Sequence, residues 1–336
     1  MRKPSSSCKR DSGAALLLAL WALFLLAGVV FAWALNINSR LTVSATANRV
    51  LSAEAMASSG AEVALNPTIK PASANLHRKM GNESYDVEMS GECGRFNLNL
   101  LAPGGAENPA FVGVLKRYLT LKGVELTDLD VMMDSLLDWI SPTKGLHRLN
   151  APEETDDYRP SHAPLTSVDE LKKIFGWAEY TSQPGWDEDF TVITNGCQKI
   201  DIAWAARDVL RALGIGDDQV DAFLQLRRGP DGIDGTPDDL FSAGAAGSPA
   251  SVNGGQGVPP AVVAALGLNP QQMPQLVNLV GFNLPIWRIV SVGRSSDVTR
   301  SVQMVVQKQV MSAGIAAGVG AAISVNQPQV FSWKEL

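Results

Sequence analysis

The hydrophobic pattern opens with an uncharged run that reaches Leu35, after a tail that contains Arg2, Lys3, Lys9 and Arg10. About 20 apolar residues are enough to cross a bilayer as a helix. Basic residues before such a helix favour an orientation in which the tail stays in the cytoplasm and the rest of the chain is exported. The pattern therefore predicts a single membrane helix near the N-terminus.

The same helix is predicted to continue beyond the membrane. Between Leu41 and Leu65 there is no proline, and apolar positions alternate with charged ones such as Arg49 and Glu54. Asn66-Pro67 ends the helix, because the residue before a proline is disfavoured in helical geometry. We expect one long helix, apolar in its first half and amphipathic in its second, with a globular domain packed on the second half.

Alternation with a period of two predicts β-strands in four stretches, which are residues 85–89, 94–100, 286–293 and 298–307. The stretch from Gly91 to Leu98 is similar to the stretch from Asn195 to Ile202, because in each a glycine precedes a cysteine that is followed by a basic residue. If these two strands lie side by side, Cys93 and Cys197 take equivalent positions. We expect an antiparallel sheet built from about residues 85–100, 190–203 and 286–307.

Between the strands the apolar spacing is helical, in residues 109–121, 128–140, 217–228, 260–266 and 271–280. Ser167, with Glu170 three residues later, forms a capping box for a further short helix that runs to Phe175. The fold class that follows is α+β: a long N-terminal helix packed on an antiparallel sheet, with a large inserted α-helical domain.

The net charge of the 336-residue chain is -6. Phosphate backbones attract basic surfaces, so this balance disfavours a nucleic-acid partner. Cys8 lies in the N-terminal tail, which leaves Cys93 and Cys197 in the rest of the chain. An even pair in an exported chain suggests a disulfide, and two buried free thiols are the alternative.

The sequence offers no catalytic constellation. The three histidines, His77, His147 and His162, are not spaced like a ligand pair on a helix or a strand. No nucleophile motif and no phosphate-binding glycine loop is present in the sequence. We therefore expect no enzymatic activity.

Gly13 stands before the apolar run, whereas the cleavage site of a secretory signal would follow it. This order resembles a type IV prepilin leader, which a prepilin peptidase cuts after the glycine so that the mature chain begins at Ala14. Most pilins and pseudopilins carry a glutamate at the fifth mature position, which here is Leu18. In lacking this glutamate the chain resembles the K-type minor pseudopilins of type II secretion. A plain signal anchor is the alternative.

A second resemblance lies between residues 136 and 177. A Leu-Leu-Asp-Trp-Ile-Ser-Pro stretch, an acidic loop that ends on a tyrosine, and a Pro-Leu-Thr-Ser-Val-Asp-Glu-Leu stretch before Gly-Trp resemble the signature of the GspK family of type II secretion. The matching positions are Asp138, Trp139, Ile140, Pro142, Glu154, Tyr158, Pro164, Leu165, Ser167, Val168, Glu170 and Leu171.

This resemblance implies a pilin-like core and a minor pseudopilin at the tip of the pseudopilus, which nucleates pseudopilus assembly and supports the export of folded proteins. The implied partners are the I-type and J-type minor pseudopilins, the major pseudopilin, the prepilin peptidase, and the secretin or secreted substrates. The implied location is the inner membrane, crossed once, with the C-terminal domain in the periplasm.

The resemblance also implies a structural calcium site in the acidic loop. Its carboxylates are Asp138, Glu154, Asp156 and Asp157. Calcium takes roughly six to eight oxygen ligands, largely carboxylates. Ser141 and Thr143 stand where the family often has acidic residues, so a solvated loop without metal is the alternative.

A glycine-rich acidic loop further along the chain is a weaker calcium candidate. Its carboxylates are Asp231, Asp234, Asp238 and Asp239. The glycines allow tight turns that could bring several carboxylates around one hard cation. The spacing is not that of an EF-hand, and a solvated surface turn is the alternative.

Residues 203–228 suggest a rival function, because a helix, a Leu-Gly-Ile-Gly turn and a second helix resemble a helix-hairpin-helix unit. Such units often bind DNA through phosphate contacts, which would fit an anchored, periplasmic DNA-binding protein of a competence-type system. The available cations are Arg207, Arg211, Arg227 and Arg228, and they are interspersed with aspartates. Simple helix packing is the default interpretation, and a calcium-dependent sensor is a third possibility.

The predicted units follow from these boundaries. They are a leader at 1–13, the transmembrane and pilin helix at 14–65, the first part of the core at 66–104, the inserted helical domain at 105–190, a second strand with the helix-hairpin-helix unit and the acidic glycine loop at 191–280, a β-hairpin at 281–310 and a tail at 311–336.

Overall fold

The computed structural model describes residues 12–142, 148–236, 239, 258, 260–267, 278–308 and 328–336. Helix α1 spans Ser12–Leu65 and has 54 residues. At 1.5 Å per residue it is about 80 Å long. It ends before Asn66-Pro67, as the sequence predicts, and its side chains from residue 15 to residue 49 are exposed. By length and composition α1 is able to cross a membrane.

The central sheet has five antiparallel strands in the order β1-β2-β7-β8-β9. Their bounds are His77–Met80 for β1, Glu83–Gly91 for β2, Ile286–Ser295 for β7, Val298–Gln307 for β8 and Gln329–Glu335 for β9. Strand β2 confirms the strand predicted at residues 85–89. The β7–β8 hairpin confirms the strands predicted at residues 286–293 and 298–307. The edge strands β1 and β9 were not predicted, and β9 lies in the stretch that the sequence indicated only as a tail.

Two further pairs of strands are parallel and very short. Strand β3 (Phe96–Asn97) pairs with β4 (Phe190–Thr191), and β5 (Ile200–Asp201) pairs with β6 (Val280–Gly281). Residues 190–203 are therefore not part of the central sheet, so the predicted sheet is wrong at this point. Residues 91–98 and 195–202 do not pair as neighbouring strands, although Cys93 and Cys197 within them are adjacent.

The reason for this error is that residues 96–101 are buried on all sides. The polar positions in their alternation do not face water: the Asn97 amide donates to the carbonyl oxygens of Ile193 and Cys197, at 2.6 and 3.0 Å. The Asn99 amide donates to the carbonyl oxygens of Leu165 and Val192, at 2.9 and 2.8 Å. A period of two in this stretch thus reflects buried amides rather than a sheet with one solvated face.

Helix α1 packs on β2, β7 and β8 through small residues. Ala53, Ala57, Ala61 and Ala64 of α1 are fully buried. A Cβ atom added at Gly293 of β7 would lie 2.1 Å from the carbonyl oxygen of Ala53. The helix and the sheet therefore approach each other so closely that only glycine fits at this position.

The inserted domain is mainly helical. Its helices are α2 (Pro109–Leu121), α3 (Leu126–Ile140), α4 (Ala178–Thr181), α5 (Arg207–Ala212), α6 (Asp217–Arg227) and α7 (Pro260–Ala265). Short 3₁₀ turns cover residues 74–76, 92–94, 98–100, 103–105 and 168–173, and the last of these has the predicted capping box of Ser167 and Glu170.

The predicted units at residues 105–190 and 191–280 share one hydrophobic core. It contains Phe96, Tyr118, Trp177, Phe190 and Phe223, all almost completely buried. A second core lies between α1 and the central sheet. The helix predicted at residues 271–280 falls largely outside the described part of the chain.

Candidate functional site

The predicted cleavage site lies in the first turn of α1. Ser12 is the first residue of this helix, so Gly13 and Ala14 directly follow its start. Residues 1–11 of the predicted leader, with Cys8, lie outside the described residues. Processing after Gly13 therefore stays a prediction.

Cys93 and Cys197 are joined in a disulfide whose Cα atoms are 5.0 Å apart. It connects the 3₁₀ turn that follows β2 with the loop that precedes β5, so it lies where the central sheet meets the inserted domain. Both cysteines are buried against Leu284, Ile286 and Val305. We call this junction the neck.

A buried ionic cluster lies beside the disulfide at the neck. The carboxylate of Glu92 accepts hydrogen bonds from Arg288 Nε at 2.6 Å and from Arg288 Nη2 at 2.9 Å. The hydroxyl of Thr191 donates to the same carboxylate at 2.5 Å. Arg95 Nη1 lies 3.5 Å from Glu92 Oε2. Burial of Arg95 and the nearby charge of Arg288 lower the pKa of Arg95 to about 10. The cluster links β2, β4 and β7.

This cluster was not predicted from the sequence, although a signal was present. Arg288 is the one charged residue in the strand segment 286–292. A charged residue in a mostly apolar strand, buried on one face and partly buried on the other, needs a partner. The strand pattern therefore indicated a buried acid, but nothing in the sequence identified Glu92 as that acid.

The acidic loop that follows α3 and contains Glu154, Asp156 and Asp157 is called the first acidic loop. It does not bring these carboxylates and that of Asp138 together. Asp138 is buried in the last turn of α3, whereas Asp157 is exposed. Glu154 lies 2.9 Å from His162 Nε2, and this hydrogen bond raises the pKa of His162. Asp156 forms an exposed ion pair with Arg159 at 2.9 Å.

The described carboxylates of the glycine-rich acidic loop accept hydrogen bonds from side-chain and backbone donors. Both oxygens of Asp234 accept from Arg227, at 2.8 and 2.9 Å. Asp239 accepts from the backbone N–H of Gly235 at 2.6 Å and from the hydroxyl of Thr236 at 3.0 Å. Asp231 accepts from a backbone N–H of the same loop at 2.8 Å. Asp238 lies outside the described residues.

Neither the loop in which the family resemblance implies calcium nor the weaker glycine-rich candidate gathers its described carboxylates around one point. Within the part of the chain that the structure describes, no three side chains of histidine, cysteine, aspartate or glutamate are grouped as metal ligands. Calcium requires roughly six to eight oxygens around one point. We therefore derive nothing through a bound ion, and calcium stays a prediction.

The helix-hairpin-helix unit is built from α5, the turn at residues 213–216 and α6. Arg207 forms a two-point ion pair with Asp221, with N–O distances of 2.6 and 2.8 Å. Arg211 is paired with Asp217 and Asp208. Arg227 and Arg228 are both paired with Asp234. All four arginines that were candidates for phosphate contacts are therefore paired with an aspartate, and Arg227 and Arg228 share Asp234.

The apolar side of this unit belongs to the core of the inserted domain. Val209 and Leu210 of α5 and Val220 and Phe223 of α6 are completely buried. Helix packing, which was the default interpretation of the motif, accounts for these contacts.

Part of this chain matches a known protein family. Residues 94–183 match the family described as type II secretion system (T2SS), protein K. The matched segment lies between the two cysteines of the neck and contains α2, α3 and the signature around Trp139. This match confirms the resemblance that the sequence indicated. Comparison with curated proteins found no match.

A solved structure shows the same fold. It is a chain of the GspK-GspI-GspJ complex from the enterotoxigenic Escherichia coli type 2 secretion system, with a TM-score of 0.56 and 14% sequence identity. The alignment covers 89% of this chain and 99% of that chain. The likeness confirms an α+β, pilin-like fold.

Proposed function

We propose, from the assignment of residues 94–183 to the protein K family of type II secretion, that this chain is a minor pseudopilin at the tip of the pseudopilus. That match is the observation that carries the proposal. The tip function includes nucleation of the pseudopilus and support for the export of folded proteins. It belongs to a structural component, and we assign no reaction to it.

The shape of the molecule supports a position at the tip. The central sheet is packed only on the end of α1, because the side chains from residue 15 to residue 49 are exposed, and the inserted domain is connected to that sheet through the neck. A domain of this width on a thin helix is difficult to repeat along a narrow filament. It is readily accommodated at the end of one.

The N-terminal helix supports the proposed location. A helix that is able to cross a membrane once, followed by a disulfide-bonded body, fits an inner-membrane anchor with the body in the oxidising periplasm. Prepilin peptidase would cut after Gly13, and the exposed apolar half of α1 would then contact the helices of other pseudopilins. The complex named in the comparison contains GspI and GspJ, and we propose their counterparts as partners of this chain.

The rival function, DNA binding through the helix-hairpin-helix unit, has no support. The arginines that would contact phosphate are paired with aspartates, as described above. A gel-shift experiment at low salt separates the two functions, because a pseudopilin retards no DNA.

The proposal is tested in a strain that lacks the gene for this chain. The full-length chain should restore secretion of type II substrates into the medium, and it should co-purify with the I-type and J-type minor pseudopilins. A strain that secretes normally without the chain would contradict the proposal, and so would a chain that captures neither partner.

A variant at the predicted cleavage site tests removal of the leader. Gly13→Val should keep the initiator methionine, as N-terminal sequencing of the membrane-derived protein would show, and should not restore secretion. Gly28→Ala is the control, because a Cβ atom at Gly28 of the same helix has no atom within 4 Å. A Gly13→Val chain that still starts at Ala14 would contradict cleavage after this glycine.

A further inference from the structure

We propose that Arg227 and Arg228 take the place of a calcium ion in the acidic glycine loop, residues 229–236 with Asp239, so that this loop is ordered without metal. The proposal concerns the weaker of the two calcium candidates in the sequence, which was suggested by its aspartates and glycines and not by the family resemblance. It does not depend on the proposed function.

Arg227 is a buried guanidinium in the last turn of α6, with 4% of its surface exposed. Its Nε and Nη2 atoms donate to the two oxygens of Asp234 at 2.8 and 2.9 Å. Its Nη1 atom donates to the carbonyl oxygens of Ala205 at 2.7 Å and Ile202 at 3.3 Å. Because a guanidinium is always protonated in a protein, it provides a permanent positive charge at the base of the loop.

Arg228 adds a second cation from the loop side. Its Nε atom donates to Asp234 Oδ2 at 3.1 Å. One carboxylate thus receives three charge-assisted hydrogen bonds from two arginines. This two-point arrangement is the strong, geometrically specific form of the arginine–carboxylate pair.

A calcium ion would have to compete with these contacts. Ligation by Asp234 would draw its oxygens away from Arg227 and leave a buried guanidinium without its counter-charge, which is strongly unfavourable. The other described carboxylates of the loop, Asp231 and Asp239, accept hydrogen bonds from N–H and hydroxyl groups of the loop itself. The three described carboxylates of the loop therefore all have donors within the chain.

The position of the loop shows what the arginine–aspartate contact holds in place. Gly235 lies against the segment that follows α1 and against Trp204, since a Cβ atom there would be 2.8 Å from Pro71 Cβ and 3.2 Å from the Trp204 ring. Trp204 in turn fills the space beside Gly91 at the neck. The arginine–aspartate contact thus holds a loop that joins the helical part of the chain to the pilin-like core.

The test compares thermal unfolding of the full-length chain in detergent, in EDTA and in millimolar calcium chloride. We expect the same Tm in both conditions, and we expect Asp234→Asn to lower the Tm equally in both. Asp218→Asn is the matched control, because Asp218 is an exposed aspartate at the start of the same helix, and its Tm should stay close to that of the wild type. Arg228→Gln is a milder variant that keeps the buried Arg227 contact if Asp234→Asn does not fold.

Three outcomes decide the proposal. A Tm that does not respond to calcium in the wild type and in both loop variants supports it. A calcium-induced rise in the Tm of the wild type that Asp234→Asn abolishes would overturn it. A rise that persists in Asp234→Asn and in Arg228→Gln supports it for this loop and assigns the ion to the first acidic loop.

Discussion

Glu92 is a carboxylate with 1% of its surface exposed, and its charge is balanced by Arg288 and Arg95. Taking a charge out of water is costly, and the cost is recovered only when the partners remain in place. Removal of one partner therefore affects stability far more than the number of hydrogen bonds suggests.

We predict that Glu92→Gln lowers the free energy of unfolding by about 3–5 kcal/mol, because it leaves Arg288 buried without its counter-charge. The measurement is urea unfolding of the full-length chain in detergent. Asp86→Asn is the control: it breaks a half-exposed pair with Arg294 and should cost less than about 1 kcal/mol. Equal effects of the two substitutions would contradict the assignment of Glu92 as a buried, paired charge.

Lys308 is a second buried charge, and its described contact is with a neutral group. Its ammonium donates to the carbonyl oxygen of Ile69 at 2.8 Å, and burial lowers its pKa from 10.5 to about 8. Between these two values the unfolded chain binds more protons than the folded one, so the free energy of unfolding rises with pH.

We predict that the wild type gains up to about 3 kcal/mol of stability relative to Lys308→Met between about pH 7 and about pH 11, since one pKa unit corresponds to about 1.4 kcal/mol. Urea unfolding of both proteins at each pH measures this difference, and other groups that titrate in the same range cancel in the comparison. A difference that does not change with pH would show that Lys308 keeps its ordinary pKa.

Single residues were the least predictable part of the candidate site. Cys93 and Cys197 could be paired from the sequence, because an exported chain with two cysteines offers one pairing. The partners of Glu92 and Asp234 could not be identified, because Arg288 is 196 positions from Glu92 and several arginines were available to each acid. Contacts of this kind depend on the packing of whole elements.

At the scale of elements, the packing of α1 on the sheet depends on Gly293. We predict that Gly293→Ala lowers the free energy of unfolding by about 1–3 kcal/mol, because the added methyl group overlaps the backbone of α1. Gly113→Ala is the control in helix α2, where the added Cβ would have Arg117 Nη1 as its nearest contact, at 3.9 Å. There alanine should be neutral or stabilise by about 0.5–1 kcal/mol. Urea unfolding that ranks the two in the opposite order would contradict the close approach of helix and sheet.

Elements with a long and regular pattern were predicted well. Helix α1 ends where Asn66-Pro67 predicted, α2 has its predicted bounds, and β7 and β8 form the expected hairpin. Strands β3 to β6 have two residues each, which is too short to show any period. Strand β9 pairs at the sheet edge with most of its residues exposed, so it has no clear apolar face in the sequence.

At the scale of the whole molecule, the disulfide closes a loop of the chain that contains α2, α3 and α4 of the inserted domain. The two cysteines are 104 positions apart. A cross-link over a loop of this length reduces the entropy of the unfolded chain, which corresponds to about 4–5 kcal/mol in the chain-entropy account.

We predict that the double variant Cys93→Ala/Cys197→Ala loses roughly 2–5 kcal/mol of stability. Urea unfolding of the full-length chain measures the loss, and the wild type under reducing agent should approach the same value. If reduction leaves the wild type unchanged while the double variant is destabilised, the loss comes from packing and not from the cross-link.

The overall architecture was predictable because it depends on large features: one long helix, a C-terminal hairpin and a helical segment between distant strands. The assignment of individual segments to the central sheet or to the inserted domain was not predictable. The segment from residue 190 to residue 203 belongs to the neck and to the core of the inserted domain, because its strands pair with residues 96–97 and 280–281 and not with the strands of the central sheet.

The order of the central sheet has a consequence for biogenesis. Strand β2 is paired with β7, so that Glu83 lies opposite Ser295. One edge of β2, whose other edge pairs with β1, therefore remains unpaired until nearly the entire polypeptide has been synthesised. Such a high contact order slows folding and exposes an unpaired strand edge meanwhile. The part of the buried face of α1 that packs on β7 and β8 also stays uncovered during this interval, so a chaperone that shields an amphipathic helix would be needed most in the last stage of synthesis.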